Sequence, residues 1–381
     1  MKSPIRVLTT GDFQKGSGLT NYILNTYDHF NSDQYQIDCM SISPSDDLKE
    51  SILNRGWGYY RVTPVTVSPI KHFFDWRNFL KNRGKYYDVI HFNYSASWNY
   101  FAIKMAKRYS NAKIIIHSHN NYYSKKPKSR LSKFILDTLN NYGRQVIKKN
   151  SDLNLAVSNE AKDWMFKPGE EVFIQKNGIE ISNFVFDEDS RKELRSELGI
   201  EDHTNIIGFA GVLSDRKNPL FAVEMYAKFL PLHPDSVFLI FGNGRDEKQV
   251  VERVKELQMT DKIIFMGRKL NLNKWYSAID IFIFPSKTEG FGFVLLETQV
   301  NGLPIVCSQG IPSEAIQTDS VCQLSFDDEN GWLTGLNNRI SIAERQENSK
   351  KNAAIIEKNG YSISATAKDL AQLIESLVKK G

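Results

Sequence analysis

The sequence predicts an α/β protein built from two parallel sheets, each covered by helices on both faces. Short runs rich in β-branched and aromatic residues recur along the chain, separated by stretches of helical length. These runs are apolar nearly throughout, which is typical of strands in a parallel sheet that is covered on both sides. The runs form two series with a polar stretch between them. The 381 residues therefore predict two domains, each large enough for its own core.

The strand runs follow one another in a regular order. The first series reads IRVLTT, YQIDCMSI, DVIHFN, KIIIHSH, LNLAVS and EVFIQKNG. The second reads NIIGFAGV, SVFLIFGNG, KIIFMG, IDIFIFPS and LPIVCS. The polar stretch between them is predicted to be a linker followed by a helix, with Asp187 at its cap. We place the boundary near residue 183, which gives domains 1–183 and 184–362.

Residues 363–381 are predicted to form a C-terminal helix. Ala367, Leu370 and Ile374 lie on one helical stripe, and lysines follow at the end. We expect this helix to pack back on the first domain.

Composition favours a protein of the cytosol. Cys39, Cys307 and Cys322 have no paired or metal-ligand spacing, which indicates a reducing compartment. The first residues lack the apolar segment of a signal peptide, and no apolar run approaches the roughly eighteen residues that span a bilayer. We expect a cytoplasmic location, at the inner face of the cell membrane.

The charge is unevenly distributed. Residues 1–180 carry 26 Lys and Arg against 16 Asp and Glu, whereas residues 181–381 carry 23 against 28. The basic first half favours an anionic partner, and phospholipid or a pyrophosphate-bearing acceptor fits at least as well as nucleic acid, for which no binding signature is present. One basic and aromatic segment is predicted to contact such an acceptor or a membrane surface, the alternative being a solvated loop. Its residues are Tyr122, Tyr123, Lys125, Lys126, Lys128 and Arg130.

Two glutamates follow the strand IDIFIFPS, where ligands of α/β sheets bind. Glu289 lies in the loop KTEGFG, and Glu297 lies in the helix FVLLETQVNG, whose side chains lean toward its N-terminus. The two carboxylates can accept hydrogen bonds from hydroxyls on either side of one anionic ligand. The alternative is that Glu297 pairs with a buried Arg or Lys while Glu289 is merely solvated.

Three further loops follow strands and suit phosphate. Arg216 and Lys217 precede a helix that begins near Pro219, where they can neutralise a diphosphate, although a solvated basic pair is the alternative. Gly242, Asn243 and Gly244 follow SVFLIF, and glycines there let backbone approach a ligand. The run Gly16, Ser17 and Gly18 follows IRVLTT in the same way.

Histidines end two strands of the first series. His117 and His119 share one face of KIIIHSH, and His91 lies in DVIHFN, so a three-histidine zinc site is one reading of the residue types. The other reading gives His117 a structural role in packing and places the more terminal His119 against a ligand.

These motifs together resemble the retaining group 1 glycosyltransferases of family four. The resemblance runs from about residue 5 to the end, and PSKTEGFGFVLLET with the following NGLP is its most specific part. KIIIHSHNN, LAVSNEAKDWMF and IQKNGIEISNF are most similar to enzymes that build bacterial exopolysaccharide or capsule. The resemblance implies the GT-B fold, in which two Rossmann-like domains face a cleft and the second holds the nucleotide sugar.

The resemblance also implies roles for individual residues. Glu297 is expected to bind the ribose hydroxyls, Glu289 the hydroxyls of the sugar, and Lys217 the diphosphate. His119 is expected near the sugar that is transferred, which makes His119, Glu289 and Lys217 the expected catalytic residues. The expected donor site comprises Gly16, Ser17, Gly18, Gly211, Arg216, Lys217, Gly242, Asn243, Gly244, Met266, Gly267, Arg268, Glu289, Gly290, Phe291, Gly292 and Glu297.

The implied reaction is retaining transfer from a nucleotide sugar, expected to be a UDP-sugar, to a glycan or polyprenyl-diphosphate-linked acceptor. The leaving diphosphate, stabilised by Lys217 and loop amides, helps to deprotonate the incoming hydroxyl. No Asp-x-Asp stands at a strand end, so we expect neither a metal nor a cofactor. Family members usually carry Gly-Arg where this chain has Gly211 and Val212, and Arg216 is the expected substitute.

Two other function classes stay open at this point. A catalytically silent protein of the same fold that binds a sugar nucleotide or glycan as a partner subunit is favoured by Val212. A zinc-dependent hydrolase is the function that the three histidines predict.

Overall fold

The computed structural model of the chain describes residues 3–123, 127 and 129–379. The chain divides into two compact units, one of residues 1–178 and 363–381 and one of residues 179–362. Ile179 belongs to the second unit because it forms a parallel bridge with Ser362 and its N–H donates to the carbonyl of Tyr361. The division therefore falls slightly before residue 183.

The first unit contains a parallel sheet. In the described residues its strands are β1 (Ile5–Gly11), β2 (Tyr35–Ser41), β3 (Gly58–Arg61), β4 (Val89–Tyr94), β5 (Lys113–Ser118), β6 (Leu153–Ala156) and β7 (Phe173–Ile174). Their order is β3-β2-β1-β4-β5-β6-β7, and all pairs are parallel. The six predicted runs correspond to every strand except β3. β3 has no predicted counterpart because it is only four residues long and its side chains are only partly covered.

The helices between these strands are α1 (Gly18–Asp28), α2 (Lys49–Leu53), α3 (Pro69–Arg83), α4 (Phe101–Tyr109), α5 (Arg130–Asn150) and α6 (Asn159–Met165). All six residues of β4 are buried, which is the pattern of a central strand with cover on both faces. A solvated loop was the alternative for the segment that includes Arg130. Arg130 instead lies in the first turn of α5, which begins with a capping box between Ser129 and Ser132.

The second unit contains a second parallel sheet. In the described residues its strands are β8 (Ile206–Ala210), β9 (Val237–Phe241), β10 (Ile263–Gly267), β11 (Ile281–Phe284), β12 (Ile305–Ser308) and β13 (Val321–Leu324). Their order is β10-β9-β8-β11-β12-β13. The five predicted runs match all of them but β13, which is another edge strand with two exposed residues.

The helices of this unit surround the sheet, and its apolar core includes Phe209, Tyr226 and Trp332. The helices are α7 (Glu188–Glu197), α8 (Pro219–Phe229), α9 (Glu247–Glu256), α10 (Leu272–Ala278), α11 (Phe293–Val300), α12 (Glu329–Leu336) and α13 (Ile342–Lys358). The predicted linker helix is α7, and Asp187 caps it by accepting from the N–H of Asp189.

The last helix returns to the first unit. Helix α14 (Ile363–Lys379) contacts α1, and its buried residues include Ala367, Leu370 and Ile374 of the predicted stripe. The hydroxyl of Tyr35 in β2 donates to the carbonyl of Ala371 over 3.2 Å. In the part of the chain that the structure describes, no helix has the length and apolarity needed to cross a membrane.

Candidate functional site

An ion cluster joins two of the predicted motifs at the carboxyl edge of the second sheet. Glu289 follows β11, and Arg216 and Lys217 lie in the loop between β8 and α8. Lys217 Nζ is 2.6 Å from Glu289 Oε1, and Arg216 Nη1 is 2.8 Å from Glu289 Oε2. Because β11 pairs directly with β8, two loops that are distant in sequence meet at one point.

The cluster is buried and keeps its charges. Glu289 is 5% exposed. Burial alone raises the pKa of this carboxyl, but Lys217 and Arg216 outweigh burial and lower it below its ordinary value. Burial lowers the pKa of Lys217, and the neighbouring Arg216 lowers it further, while Glu289 offsets part of the effect. Lys217 Nζ also lies 4.6 Å from the ring centre of Phe284, a cation–π distance.

Glu297 has a different environment. Tyr276 in α10 donates a hydrogen bond of 2.7 Å from its hydroxyl to Glu297 Oε2. Burial raises the pKa of Glu297 to about 7, although Tyr276 and the more distant Lys217 oppose the shift. Near neutral pH this carboxyl is therefore poised between its neutral and charged forms.

In the structure the two glutamates have the opposite environments to those of the alternative reading. That alternative paired Glu297 with a basic residue and left Glu289 solvated. In the structure Glu289 has the ion pairs and Glu297 has a neutral partner. The difference arises because Glu289 lies beside the basic loop after β8, whereas Glu297 faces α10.

Two helices start at this edge without a side-chain cap. Helix α8 follows Asn218 and α11 follows Gly292, and neither residue caps the first turn through its side chain. Gly292 has a φ of 98°, a conformation that glycine adopts without strain. The first-turn N–H groups of both helices are thus not bound by an N-cap side chain, which suits anions. Gly290 and Phe291, which precede Gly292, are both buried.

The GNG motif packs closely on the loop after β8. A Cβ atom at Gly242 would overlap the carbonyl of Gly211, and one at Gly244 would overlap the carbonyl of Leu213. The N–H of Gly242 donates to Gly267, at the end of β10. The glycines therefore have a packing role in addition to the predicted donor contact. Of the other residues predicted here, Met266 is half-buried in β10, and Asn243 and Arg268 are exposed.

The first unit has a buried layer of uncharged side chains at the corresponding edge. His91 Nε2 lies 3.3 Å from His117 Nδ1, and the rings of His117 and His119 are 4.0 Å apart. His117 is fully buried, as predicted, and His119 is 8% exposed. Burial lowers the pKa of His119 well below its ordinary value, and His91 adds to this effect. His119 is therefore neutral near pH 7.

Asn93 fixes the tautomer of His119. Its amide nitrogen donates to Thr10 O and to Thr9 Oγ1, each at a distance of 3.0 Å. Because the Thr10 carbonyl can only accept, the Asn93 oxygen faces His119 Nε2, at 2.8 Å. A neutral His119 consequently carries its proton on Nε2 and presents Nδ1 as an acceptor.

The remaining predicted residues of the first unit are engaged locally. The hydroxyl of Ser17 caps α1 by accepting from Thr20 N and donates to Asp12 Oδ1, so it is committed to the turn rather than free for phosphate. Gly16 adopts a φ of 75° in this turn, and Gly18 begins α1. Tyr123 donates to Asp137 Oδ1 over 2.8 Å, and Tyr122 is half-buried beside it. Lys125, Lys126 and Lys128 lie outside the described residues.

The zinc hypothesis has no support in the geometry. Among the described ranges, no group of three His, Cys, Asp or Glu side chains is arranged to hold a metal ion. His91 and His117 instead face each other at hydrogen-bond distance, and His91 Nδ1 is bound to the hydroxyl of Tyr27 at 2.8 Å.

Two residues of these sites, Asn93 and Tyr276, were not predicted. Asn93 ends the run DVIHFN, so a polar residue near the end of a buried strand was a usable signal. Tyr276 gave no signal, because it is one of two adjacent aromatic residues in α10 and only the packing of α10 beside α11 brings it to Glu297.

Two family models match the chain in sequence order. The model described as Glycosyltransferase Family 4 matches residues 16–183, and the model described as Glycosyl transferases group 1 matches residues 190–361. Between them the two matches include strands β2 to β13, the ion cluster, Glu297 and the buried histidines.

Similar proteins include two named transferases. The chain is 25% identical over 53% of its length to the lipopolysaccharide core biosynthesis mannosyltransferase LpsB of Rhizobium meliloti. It is 23% identical over 58% of its length to the UDP-Gal:alpha-D-GlcNAc-diphosphoundecaprenol alpha-1,3-galactosyltransferase of Escherichia coli. The matched regions span 60% and 58% of those two proteins.

A solved structure is similar over nearly the whole chain. Anabaena Alr3699/HepE, in complex with UDP and glucose, superimposes with a TM-score of 0.77 and 14% identity, covering 98% of this chain and all of the other. This likeness shows the fold. It confirms the predicted α/β architecture of two Rossmann-like, parallel-sheet domains, the GT-B class.

Proposed function

Because the chain belongs to the group 1 glycosyltransferases, with a family 4 domain in its first half, we propose that it transfers a sugar from a UDP-sugar to a lipid-linked or glycan acceptor. We further propose that the anomeric configuration is retained and that no metal takes part. The proposed pathway is the synthesis of a cell-surface polysaccharide.

The ion cluster of Glu289 with Arg216 and Lys217 is the observation that carries this proposal. It places two cations beside the uncapped start of α11, where a diphosphate can be bound by both charge and backbone N–H groups. Arg216 also fills the role that Val212 leaves open, since its guanidinium reaches the same carboxylate as Lys217. Glu297 is poised to accept from ribose hydroxyls once ionised.

The proposed reaction needs no reagent other than the donor and the acceptor. The bond between the sugar C1 and the diphosphate oxygen breaks, and a bond forms between C1 and the acceptor oxygen on the same face. The acceptor proton passes to the leaving diphosphate, whose charge Lys217 and Arg216 stabilise. Glu289 holds the two cations in place. His119 Nδ1 accepts a hydrogen bond from a hydroxyl of the transferred sugar.

The acceptor class is proposed from the names of relatives. One is named for lipopolysaccharide core synthesis and another for a diphosphoundecaprenol acceptor. The basic first half of this chain is compatible with a diphosphate-bearing lipid.

A thermal-shift panel of nucleoside diphosphates and nucleotide sugars tests the donor. We expect UDP and at least one UDP-sugar to raise the melting temperature, because a ligand that binds only the native state stabilises it. NMR of the product anomer then tests retention, and turnover after treatment with a chelator tests metal independence. Stabilisation by GDP or ADP alone would overturn the choice of base.

A silent partner subunit is the second candidate, and Val212 is the observation that favours it. This side chain is 54% exposed at the position where the family usually has a basic residue. Donor binding without any hydrolysis or transfer of the sugar, with every acceptor tried, would favour this candidate over the transferase.

A further inference from the structure

Three neighbouring helices of the first unit expose large apolar side chains. Helix α3 contacts α4, and α4 contacts α5. Ile70 is 72% exposed, and Leu131 and Phe134 are each 69% exposed. We call the outward side of these helices the three-helix face. Its principal apolar residues are Ile70, Phe74, Phe101, Leu131, Phe134 and Ile135.

Aromatic contacts make the three-helix face continuous. Ring centres are 5.5 Å apart between Phe74 and Phe73 and 6.0 Å apart between Phe73 and Phe101, which joins α3 to α4. Tyr100 lies 5.0 Å from Phe101 and 4.9 Å from Tyr142, which joins α4 to α5. An apolar surface that spans several elements marks an interaction site more often than single exposed residues do.

The apolar residues of helix α5 are covered at one end of the helix and exposed at the other. Val146 and Ile147, near its C-terminal end, are buried. Leu131, Phe134 and Ile135, in its first two turns, recur at helical spacing and are all exposed. Among the described residues, the N-terminal apolar group is therefore at most partly covered by the rest of the chain.

The three helices also carry the charge of the first half. Together α3, α4 and α5 contain twelve Lys and Arg but two acidic residues, Asp75 and Asp137. That excess of ten equals the whole excess of residues 1–180, so the remainder of this half is neutral. The net positive charge of this half therefore equals that of the three helices that expose the apolar residues.

We propose that the three-helix face docks on an anionic lipid bilayer, with its apolar side chains at the boundary of the acyl chains and its cations among the head groups. A basic surface with exposed Phe, Leu and Ile is suited to that interface. A second copy of the chain would bring two strongly positive faces together, which is unfavourable. The inference deepens the proposed function by naming the surface where a lipid-linked acceptor is met, but docking itself needs no sugar transfer.

Vesicle sedimentation tests the docking. The purified chain is mixed with sucrose-loaded vesicles of phosphatidylcholine, with or without about one third phosphatidylglycerol, at low and high salt. We expect binding to the anionic vesicles only. F134S/I135S should weaken it at least about tenfold, since both side chains lose apolar contact with lipid. K71S/R108S/K149S, with one exposed cation removed from each helix, should weaken it about a hundredfold at low salt.

Matched controls lie in the second unit. Leu270 is 94% exposed, so L270S removes an exposed apolar side chain away from the three-helix face. K255S/K350S/K351S removes three exposed cations. Both controls should bind vesicles like the parent, and all variants should melt like the parent.

Three outcomes would overturn the proposal: equal binding to neutral and anionic vesicles, parent-like binding by F134S/I135S, or a dimer in light scattering that F134S/I135S dissociates. Vesicle binding is measured without a donor. A failure here therefore leaves the proposed transfer reaction standing, and a chain that binds vesicles but no nucleotide would reject only the proposed transfer.

Discussion

The two sheets present opposite electrostatics at the same place in the fold. At the carboxyl edge of the second sheet, Glu289 and Lys217 are buried and charged, and the partly exposed Arg216 pairs with Glu289. At the carboxyl edge of the first, His117 and His119 are buried and neutral. Both groups have lost most of their contact with water.

The difference comes from the presence of a counter-charge. A buried ion keeps its charge when an opposite charge and hydrogen bonds offset the lost hydration, and otherwise the group becomes neutral. Glu289 has two cations beside it, whereas the histidines have one another and Asn93. The second unit is thereby suited to bind an anion, and the first to offer directed, uncharged hydrogen bonds.

The largest expected effect follows from breaking the charged cluster. Glu289→Gln leaves Lys217 and Arg216 without a counter-charge, so we expect a loss of about 3 kcal/mol of unfolding free energy together with loss of turnover. Urea unfolding measures the first effect. Because the pKa of Glu289 is lowered in the folded state, its contribution should be present above the ordinary carboxyl pKa and disappear as pH falls below it.

The double variant E289Q/K217M is the control for the cluster. Removing one cation with the carboxylate should restore at least half of the lost stability, because the remaining Arg216 is partly exposed. An unfolding midpoint of Glu289→Gln equal to that of the parent would show that the ion pairs contribute nothing.

The second prediction concerns the neutral layer. His119→Ala should lower kcat about a hundredfold and leave UDP affinity within about twofold, the pattern of a contact made mainly in the transition state. His117→Ala should instead cost about 2 kcal/mol of stability, since it leaves His91 Nε2 without its partner. Calorimetry with UDP and steady-state kinetics separate the two. An equal loss of UDP affinity in both variants would contradict the assignment.

The third prediction concerns Glu297, which is partly buried and accepts its hydrogen bond from the uncharged hydroxyl of Tyr276. Its folded pKa of about 7 lies above the ordinary value of 4.5, so the folded state binds a proton more tightly than the unfolded state. Stability should therefore fall as pH rises from about 4.5 to about 7 and then level off. Glu297→Gln should remove this slope, gain about 3 kcal/mol at alkaline pH, and weaken UDP binding. If the free energy of unfolding of Glu297→Gln still falls with pH over this range, another group causes the slope.

The smallest effect is expected at Asn93, which acts through His119. Asn93→Leu removes the acceptor for Nε2–H, so ¹⁵N NMR of labelled histidine should show a mixture of tautomers where the parent shows one. Turnover should fall about tenfold. Asn93→Asp keeps an acceptor for Nε2–H, and its carboxylate should in addition raise the pKa of His119. A parent spectrum with the proton on Nδ1 would reject the assignment.

Much of the fold could be predicted because buried parallel strands have a strong sequence pattern. β4 and β8 consist of buried residues throughout, and both were found. β3 and β13 were missed because each is four residues long, is only partly covered and has no continuous apolar run. The start of α8 at Pro219 was predicted, since proline favours the first turn of a helix.

The sequence by itself determined which side chains stand at the carboxyl edges of the strands, because strand runs and the loops after them are local features. Glu289, Lys217 and His119 were found in this way. Tertiary structure alone decided their partners and charge states. The ion pair of Glu289 depends on β11 lying next to β8, and the pKa of Glu297 depends on its enclosure beside Tyr276 in α10. Strand order and burial result from the packing of distant segments, and a local pattern of residues does not contain them.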